Sequence, residues 1–243
     1  MAGATSPDNI YVPQTTDDLT PLATPMANLA NSVQTAISAR FRGYAGPIQA
    51  IPVANAAARG AAFPTPIQGD SVFRLDKGWT ERYYGTYNVT TNPGGAVAGA
   101  GWYPVEGVLP WYSSVQSATA SIPNVTWTGV NADGTVTNRG GFSLSGTQIN
   151  VPMPGYYSIQ VNAMFAARTT GTARGIRFNI DGSVDGNTEW NDRQAPYPNA
   201  NLPVAAYWQG YVASSVKPEF YHNTGSPLNV LNRRITVRYL GAG

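Results

Sequence analysis

The chain has 243 residues, enough for one large domain or two to three small ones, with a sizeable core. Its 15 Lys and Arg and 13 Asp and Glu give a formal net charge of +2, too small to favour a nucleic acid or an anionic membrane as partner. The absence of cysteine excludes a disulfide framework, a thiolate metal site and a cysteine nucleophile.

The composition is typical of β-structure with many tight turns. Charged residues make up only 12% of the chain, which contains 26 glycines, 19 prolines and 14 tyrosines. No apolar run approaches the ~18 residues of a membrane helix, and residues 1–5 lack the basic and apolar regions of a signal peptide. We therefore expect a soluble protein, without membrane insertion, that is made in a cytoplasm.

Residues 1–42 are predicted to form an extended arm followed by a short helix. Residues 1–16 are polar, contain proline and show no period. From Thr16 onward Asp17 or Asp18 can cap a helix, and Pro25 delays or kinks its start. The apolar residues of this helix recur at steps of three and four: Leu19, Leu22, Met26, Leu29, Val33 and Ile37. This stripe needs a cover, either another part of the chain or copies of itself in a short coiled coil, and the sequence leaves both open.

The middle of the chain is predicted to hold a linker and a small β-hairpin module. Residues 43–60 are rich in Gly, Ala and Pro and have no steady period, which indicates a linker. Within residues 61–112, two short alternating runs flank Lys77-Gly78 and predict a hairpin. The module is too small for a large core of its own, so we expect its aromatic residues to pack on a neighbour.

Residues 113–243 are predicted to form an antiparallel β-sandwich of the jelly-roll type. Strands are predicted at 122–130, 140–144, 147–152, 156–166, 173–181, 187–191, 204–213, 216–222 and 233–240. Turn residues separate them at regular intervals, as in sandwiches and jelly rolls. In the long strand at 156–166 one parity is apolar, and the other carries Ser158, Gln160 and Asn162. The fold class is therefore mainly β.

The sequence offers few groups for catalysis. His222 is the only histidine, and no nucleophile motif accompanies it, so we expect a strand-end histidine near the jelly-roll surface. Glu189 and Asp192 are the only close carboxylate pair on a predicted surface loop, but a glycosidase needs two carboxylates held across a cleft. We therefore predict a protein that is not an enzyme and has no catalytic residues.

A metal site is not expected either. The run from Asp181 to Asn187 resembles a loop of oxygen ligands for calcium, but it lacks the complete spacing and the distant Glu. A two-residue Asp-Gly hairpin turn explains Asp181 and Gly182 without a metal. No cofactor motif was found.

The order of short motifs along the chain resembles two known groups of proteins. Residues 118–243 resemble the jelly roll of the tumour necrosis factor and complement globular-head superfamily, through Ile149-Asn150-Val151-Pro152, Pro154-Gly155-Tyr156-Tyr157, Arg174-Gly175-Ile176-Arg177-Phe178 and Tyr239-Leu240-Gly241. The front half is similar to bacteriophage minor tail and tail-fibre proteins, through Tyr11-Val12-Pro13, Asp17-Asp18-Leu19 and Phe63-Pro64-Thr65-Pro66 followed by Gly69-Asp70.

The resemblance implies a homotrimeric structural protein of a phage virion, a tail fibre, tail spike or minor tail protein. In this interpretation residues 1–42 dock on other virion proteins, and Ser158, Gln160 and Asn162, too polar for a second buried sheet contact, suit a wet subunit interface. An alternative is a head or collar decoration protein without a receptor role. A third is an enzyme that degrades host polysaccharide.

A host saccharide is the expected external partner. The stretch from Trp190 to Trp208 combines aromatic rings, amides, an arginine and prolines, which together suit ring stacking and hydrogen bonds to sugar hydroxyls. We predict Trp190, Arg193 and Tyr197 as the glycan contacts. The alternative places Tyr207 and Trp208 in a strand, as core or subunit contacts.

Overall fold

The computed structural model describes residues 50–132, 134–184 and 200–242, with the backbone of short strands at 4–5, 11–12 and 189–192. Of the arm, the structure describes β1 (Ala4–Thr5) and β2 (Tyr11–Val12), which pair antiparallel. The helix predicted from the apolar stripe after Asp17 lies outside the described residues. Within the described ranges, no helix is long and apolar enough to cross a membrane.

The small module is a four-stranded sheet with one helix. Its elements are β3 (Ile51–Val53), α1 (Ala56–Ala62), β4 (Ser71–Arg74), β5 (Trp79–Tyr84) and β6 (Gly101–Gly107), and the sheet order is β3-β4-β5-β6. The predicted hairpin is confirmed, because β4 and β5 pair antiparallel and Gly78 has a φ of +73°, a conformation that favours glycine. The stretch predicted as a linker contains β3 and most of α1. Asn55 caps this helix by accepting a hydrogen bond from the Ala58 amide at 3.0 Å.

A buried ionic network ties α1 to this sheet. The carboxylate of Glu81, only 4% exposed, accepts hydrogen bonds from Arg74 Nη1 at 3.1 and 3.2 Å and from Trp79 Nε1 at 3.0 Å. Arg59 of α1 forms an ion pair with the same carboxylate. Arg74 also binds Asp76 through two hydrogen bonds of 2.8 Å. One glutamate therefore pairs with two arginines from different elements.

The rest of the described chain folds into two packed antiparallel sheets. Sheet I has the order β10-β7-β18-β13-β16, with β8 beside β18, and sheet II has the order β11-β12-β17-β14-β15, with β9 beside β17. The bounds of sheet I are β7 (Trp111–Gln116), β8 (Ala120–Ile122), β10 (Thr135–Arg139), β13 (Gly155–Phe165), β16 (Leu202–Val212) and β18 (Leu228–Gly241). Those of sheet II are β9 (Thr128–Gly129), β11 (Ser143–Ser145), β12 (Gln148–Asn150), β14 (Arg174–Ile180), β15 (Glu189–Asp192) and β17 (Ser215–His222).

This arrangement confirms the predicted jelly-roll sandwich and the mainly β fold class. After β12 the chain crosses repeatedly between the sheets, because β13, β16 and β18 belong to sheet I while the hairpin of β14 and β15 and the strand β17 belong to sheet II. Alternate residues of each long strand point between the sheets and are buried. On β13 these are Tyr157, Ile159, Val161, Ala163 and Phe165.

The small module packs against one end of the sandwich. Ala96, on the glycine-rich loop between β5 and β6, is 0% exposed and belongs to the same hydrophobic cluster as Tyr157 and Tyr239. The Ala98 amide donates to the Ala242 carbonyl at 3.4 Å. Tyr103 of β6 joins this cluster and donates its hydroxyl to Gly99 at 2.9 Å. Of the aromatic residues expected to pack on a neighbour, Tyr84 packs against this cluster, as does Tyr103.

Several strand predictions were wrong at their ends or as a whole. The strand predicted at 122–130 is interrupted, because Val125 has a φ of +57° and its amide donates to the His222 carbonyl at 2.8 Å. Within the predicted range, only Ile122 at the end of β8 and the two residues of β9 belong to strands. The strand predicted at 140–144 begins at Ser143, since Gly140 and Gly141 form a turn with φ values of +97° and +92°. β7 and β10 were not predicted.

Candidate functional site: the outer face of sheet I

The outer face of sheet I consists of the side chains of β7, β18, β13 and β16 that point away from the core. They are Trp111, Ser113, Val115, Arg234, Thr236, Arg238, Leu240, Tyr156, Ser158, Gln160, Asn162, Met164, Pro203, Ala205, Tyr207, Gln209 and Tyr211. The structure brings the predicted residues Ser158, Gln160 and Asn162 together here, on the strand between β18 and β16. They occupy alternate positions and are half-buried or exposed, as the period of two predicted.

The pairing registers place these residues in rows that run across the sheet. Gln160 lies between Thr236 of β18 and Tyr207 of β16, and Thr236 continues the row to Ser113 of β7. The hydroxyls of Ser113 and Thr236 are 3.4 Å apart. The row through Ser158 contains Arg238 on one side and Gln209 on the other.

Large apolar side chains are exposed on the same face. Tyr207 is 64% exposed, Leu240 44%, Val115 41% and Tyr156 36%. Tyr156 and Tyr211 stack edge to face with a centroid distance of 5.9 Å. An exposed apolar set with polar residues among it, on one face of a wide sheet, is a common feature of protein contact surfaces.

The charges of this face are all positive. Arg234 and Arg238 are exposed four residues apart on β18, the middle strand of the sheet, and Arg139 lies at the β10 edge beside Trp111. Within the described part of the jelly roll the acidic residues are Asp181, Glu189, Asp192 and Glu219, and all four belong to sheet II and its turns. Sequence patterning found the polar row on β13 but missed these arginines, although their spacing of four on one strand already places them on one face.

The residues predicted for glycan contact are not placed by the structure. Arg193, Tyr197 and the side chain of Trp190 lie outside the described residues. The backbone of Trp190 is in β15, opposite Ile176 of β14. The other two aromatic residues of that stretch are in β16, as the alternative expected: Tyr207 lies on the outer face of sheet I, and the half-buried Trp208 packs against the core.

His222 is at the end of β17, as predicted, but it is not near the surface. It is 0% exposed, because its strand position points between the sheets. Its Nε2 lies 3.1 Å from the Ile122 carbonyl, and its Nδ1 lies 3.3 Å from the Thr224 amide and 3.1 Å from the Thr224 hydroxyl. A neutral ring that carries its proton on Nε2 satisfies all three contacts. Burial, then the neighbouring arginines Arg174 and Arg168, lower the pKa of His222, although its hydrogen bond to Ile122 raises it.

We expect the free energy of unfolding to decrease as the pH falls from 7 to 5.5. The lowered folded-state pKa of His222 means that the unfolded chain, with a histidine pKa of about 6.5, takes up the proton more readily. The stability that the neutral ring gives is therefore complete above about pH 6.5 and is lost below it. Urea unfolding at several pH values measures this loss.

The chain has one histidine and no cysteine, so His222 is the side chain whose usual pKa lies in this window. Asp181 and Glu219 have lowered pKa values and lose their contributions only at more acidic pH. His222→Asn is the matched variant, and its stability should change little between pH 7 and 5.5. A wild-type protein whose stability is constant over this range would contradict the prediction.

The hairpin interpretation of Asp181 and Gly182 is confirmed. The two residues have φ values of +53° and +82°, and Ile180 and Ser183 exchange backbone hydrogen bonds of 2.8 and 2.9 Å. The Asp181 carboxylate accepts from the amides of Ala213 at 2.7 Å, Ser214 at 2.7 Å and Ser215 at 2.8 Å. Burial raises the pKa of this carboxyl, but these hydrogen bonds outweigh burial and hold the pKa below its usual value. The carboxylate therefore joins the turn at Asp181 and Gly182 to the turn before β17. The described residues contain no cluster of three or more potential metal ligands.

Comparison with known proteins gives similarities of fold. No protein-family model and no curated protein matches the chain. Among solved structures, the PRD1 vertex protein P5 aligns with 18% identity over 56% of this chain and 99% of that chain, with a TM-score of 0.41. The globular domain of the zebrafish complement 1qA protein aligns with 11% identity over 55% of this chain and 99% of that chain, with a TM-score of 0.40. The Eiger TNF of S. frugiperda aligns with 10% identity over 56% of this chain and 94% of that chain, with a TM-score of 0.36. The chain is thus similar in fold to jelly-roll domains of the TNF and complement type. At these identities and TM-scores, the similarity says nothing about the function of the chain.

Proposed function

We propose that this protein is a structural subunit of a bacteriophage virion, a homotrimeric tail appendage that contacts the host surface. The observation that carries the proposal is the outer face of sheet I. It is several strands wide, it exposes Tyr207, Leu240, Val115 and Tyr156, and no described element of the chain covers it. In the proposed trimer, a second and a third copy of the chain pack on this face.

The mixture of residues on this face suits contact between folded subunits. Ser158, Gln160 and Asn162 can bond to waters or to partner groups, and the exposed aromatic rings supply apolar area. Arg234 and Arg238 make the middle of the face positive, so a close contact must pair them with carboxylates of a partner or keep them hydrated. The wet interface expected from the sequence agrees with this composition.

The remaining parts of the proposal come from the sequence and its resemblance. Residues 1–42 are assigned to docking on other virion proteins, and Trp190, Arg193 and Tyr197 to a host saccharide. The fold itself does not distinguish a tail appendage from a head or collar decoration protein. Labelling the protein in images of virions distinguishes the two, because label on the head would contradict the tail assignment.

Gln160→Arg is expected to convert the trimer into monomers without unfolding the subunit. Gln160 lies in the middle row of the outer face, and its neighbours across β18 include Arg234 and Arg238. A further positive charge at this position adds repulsion and bulk where the subunits meet. Sedimentation of the full chain at micromolar concentration measures the effect, and the circular dichroism of the two proteins should agree.

Ser145→Arg is the control, since Ser145 is exposed on β11 of sheet II and receives the same charge away from the outer face of sheet I. It should remain trimeric. A wild-type chain that sediments as a stable monomer would contradict the trimer proposal. A Gln160→Arg variant that stays trimeric would move the interface to another surface.

A further inference from the structure

Three arginines on the outer face of sheet I carry positive charge into the proposed subunit interface. Arg139, Arg234 and Arg238 are exposed, and none of them forms an ion pair or a side-chain hydrogen bond with another described residue. The pairing register places Trp111 of β7 between Arg139 of β10 and Arg238 of β18. Arg234 lies four residues before Arg238, on the same face of the same strand. We call Arg139, Arg234 and Arg238 the sheet I arginines.

The carboxylates of the described jelly roll are engaged on the other sheet. Glu219 accepts hydrogen bonds from an arginine and a lysine of sheet II at 2.7 and 2.6 Å. Asp181 accepts from three backbone amides of the turn before β17. Glu189 and Asp192 belong to β15, where the register places each of them opposite an arginine of β14. The described jelly roll thus offers no carboxylate on the face that carries the sheet I arginines.

The small module adds little negative charge for a neighbouring copy. Asp76 and Glu81 pair with Arg74. Asp70 is buried, and its carboxylate accepts a hydrogen bond from a backbone amide at 2.9 Å. Glu106 is the remaining acidic residue of the described module, and it is exposed. One such carboxylate against three arginines leaves two cations in each copy without a counter-charge.

A trimer that closes over this face has to balance these charges. Cations that lose water without a counter-charge carry a large desolvation cost, and like charges brought together across an interface repel one another. A guanidinium group is well suited to an oxyanion, because it donates two parallel hydrogen bonds to a pair of oxygens. Ser158 lies beside Arg238 in the register and Asn162 lies beside Arg234, so each can donate to the remaining oxygens.

We propose that the trimer binds oxyanions of the phosphate or sulfate class between its subunits, held by the sheet I arginines of neighbouring copies. The inference rests on the trimer of the proposed function and adds a ligand to its interface. The anion supplies the negative charge that the described residues of this face lack. Subunit association and anion binding are therefore linked, and each strengthens the other.

The test is sedimentation equilibrium of the full chain in sodium sulfate and in sodium chloride of the same ionic strength. Chloride screens charge to the same extent, but it cannot accept two parallel hydrogen bonds from one guanidinium group. An oxyanion that binds the trimer with a Kd of about 1 mM raises the association constant about tenfold at about 10 mM. We expect at least this increase in sulfate, and the same direction of change in sodium phosphate.

Two variants assign the effect to the sheet I arginines. Arg238→Gln and Arg234→Gln each remove one positive charge, so both should associate in chloride at least as strongly as the wild type. Both should lose most of the increase that sulfate produces. Arg168→Gln is the matched control, since Arg168 is an exposed cation on the loop between β13 and β14 and lies outside this face. It should respond to sulfate like the wild type.

The outcomes separate the anion site from the trimer. A wild-type trimer with equal association constants in sulfate and chloride would overturn the anion site and leave the trimer in place. A sulfate response that both arginine variants retain would also overturn it, because the anion would then bind elsewhere. A chain that is monomeric in both salts at every concentration contradicts the trimer, and the anion site with it.

Discussion

Replacing Glu81 with alanine is expected to lower the free energy of unfolding by about 3–5 kcal/mol, the usual effect of removing one partner from a buried ion pair. Glu81 is 4% exposed, and Arg74, which is 6% exposed, donates to it. Without the carboxylate, Arg59 and the indole of Trp79 lose their acceptor, and Arg74 keeps only Asp76 at the protein surface. A buried charge or donor without a partner carries its full desolvation cost.

Chemical unfolding monitored by tryptophan fluorescence measures this effect, because Trp79 and Trp102 report on the module. Glu106→Ala is the matched control, since it removes the same group from an exposed position on the neighbouring strand β6. Its effect should stay within about 0.5 kcal/mol. If the two variants lose equal stability, the network around Glu81 does not hold the module together.

This network shows why part of the fold is not predictable from the sequence. Arg59 is 22 residues from Glu81 along the chain, and it lies in an alanine-rich run without an amphipathic pattern. The run becomes a helix because Asn55 caps it and because Arg59 reaches the sheet. Periodicity detects a helix by its apolar stripe, and α1 buries none of its residues.

The jelly-roll strands also differ in how well the sequence predicts them. β13 was predicted within one residue at each end because its alternation is complete, with every second residue buried. β7 was missed because its pattern is inverted at one end, where Ser114 points into the core at 1% exposure and Val115 faces outward at 41%. β10 is a polar edge strand, and only its pairing with β7 identifies it.

Of the candidate sites, too, local sequence pattern predicts only a part. Ser158, Gln160 and Asn162 could be assigned to one face from their spacing alone. The cluster of Trp127, Tyr221 and Arg177 on the outer face of sheet II could not, because its members come from three separate stretches of the chain that the order of sheet II brings together. Trp127 stands out in the sequence, but its neighbours Arg177 and Tyr221 are known only once β14, β17 and β9 are paired.

Ala96→Lys is expected to weaken the contact between the small module and the sandwich. Ala96 is 0% exposed, its amide donates to Gly85 at 2.8 Å, and it packs in the cluster that contains Tyr239 and Tyr103. A lysine buried in such a place has a pKa lowered by about 3–5 units, and each unit corresponds to about 1.4 kcal/mol. At pH 7 the expected loss in the free energy of unfolding is about 4 kcal/mol. The module and the sandwich should then unfold in separate transitions.

The control is Val97→Lys, since Val97 is the next residue of the same loop but is 49% exposed, and its effect should be small. The pH dependence separates charge from bulk. Because the folded-state pKa of the introduced amine is lowered, its destabilising effect is full below that lowered pKa and diminishes as the pH rises toward the unfolded value of about 10.4. Between pH 7 and 9 the Ala96→Lys variant should regain about 2–3 kcal/mol relative to the wild type. If the loss in the free energy of unfolding does not change with pH, steric bulk alone opens the contact. If the variant still unfolds in a single transition with the stability of the wild type, Ala96 does not join the small module to the sandwich.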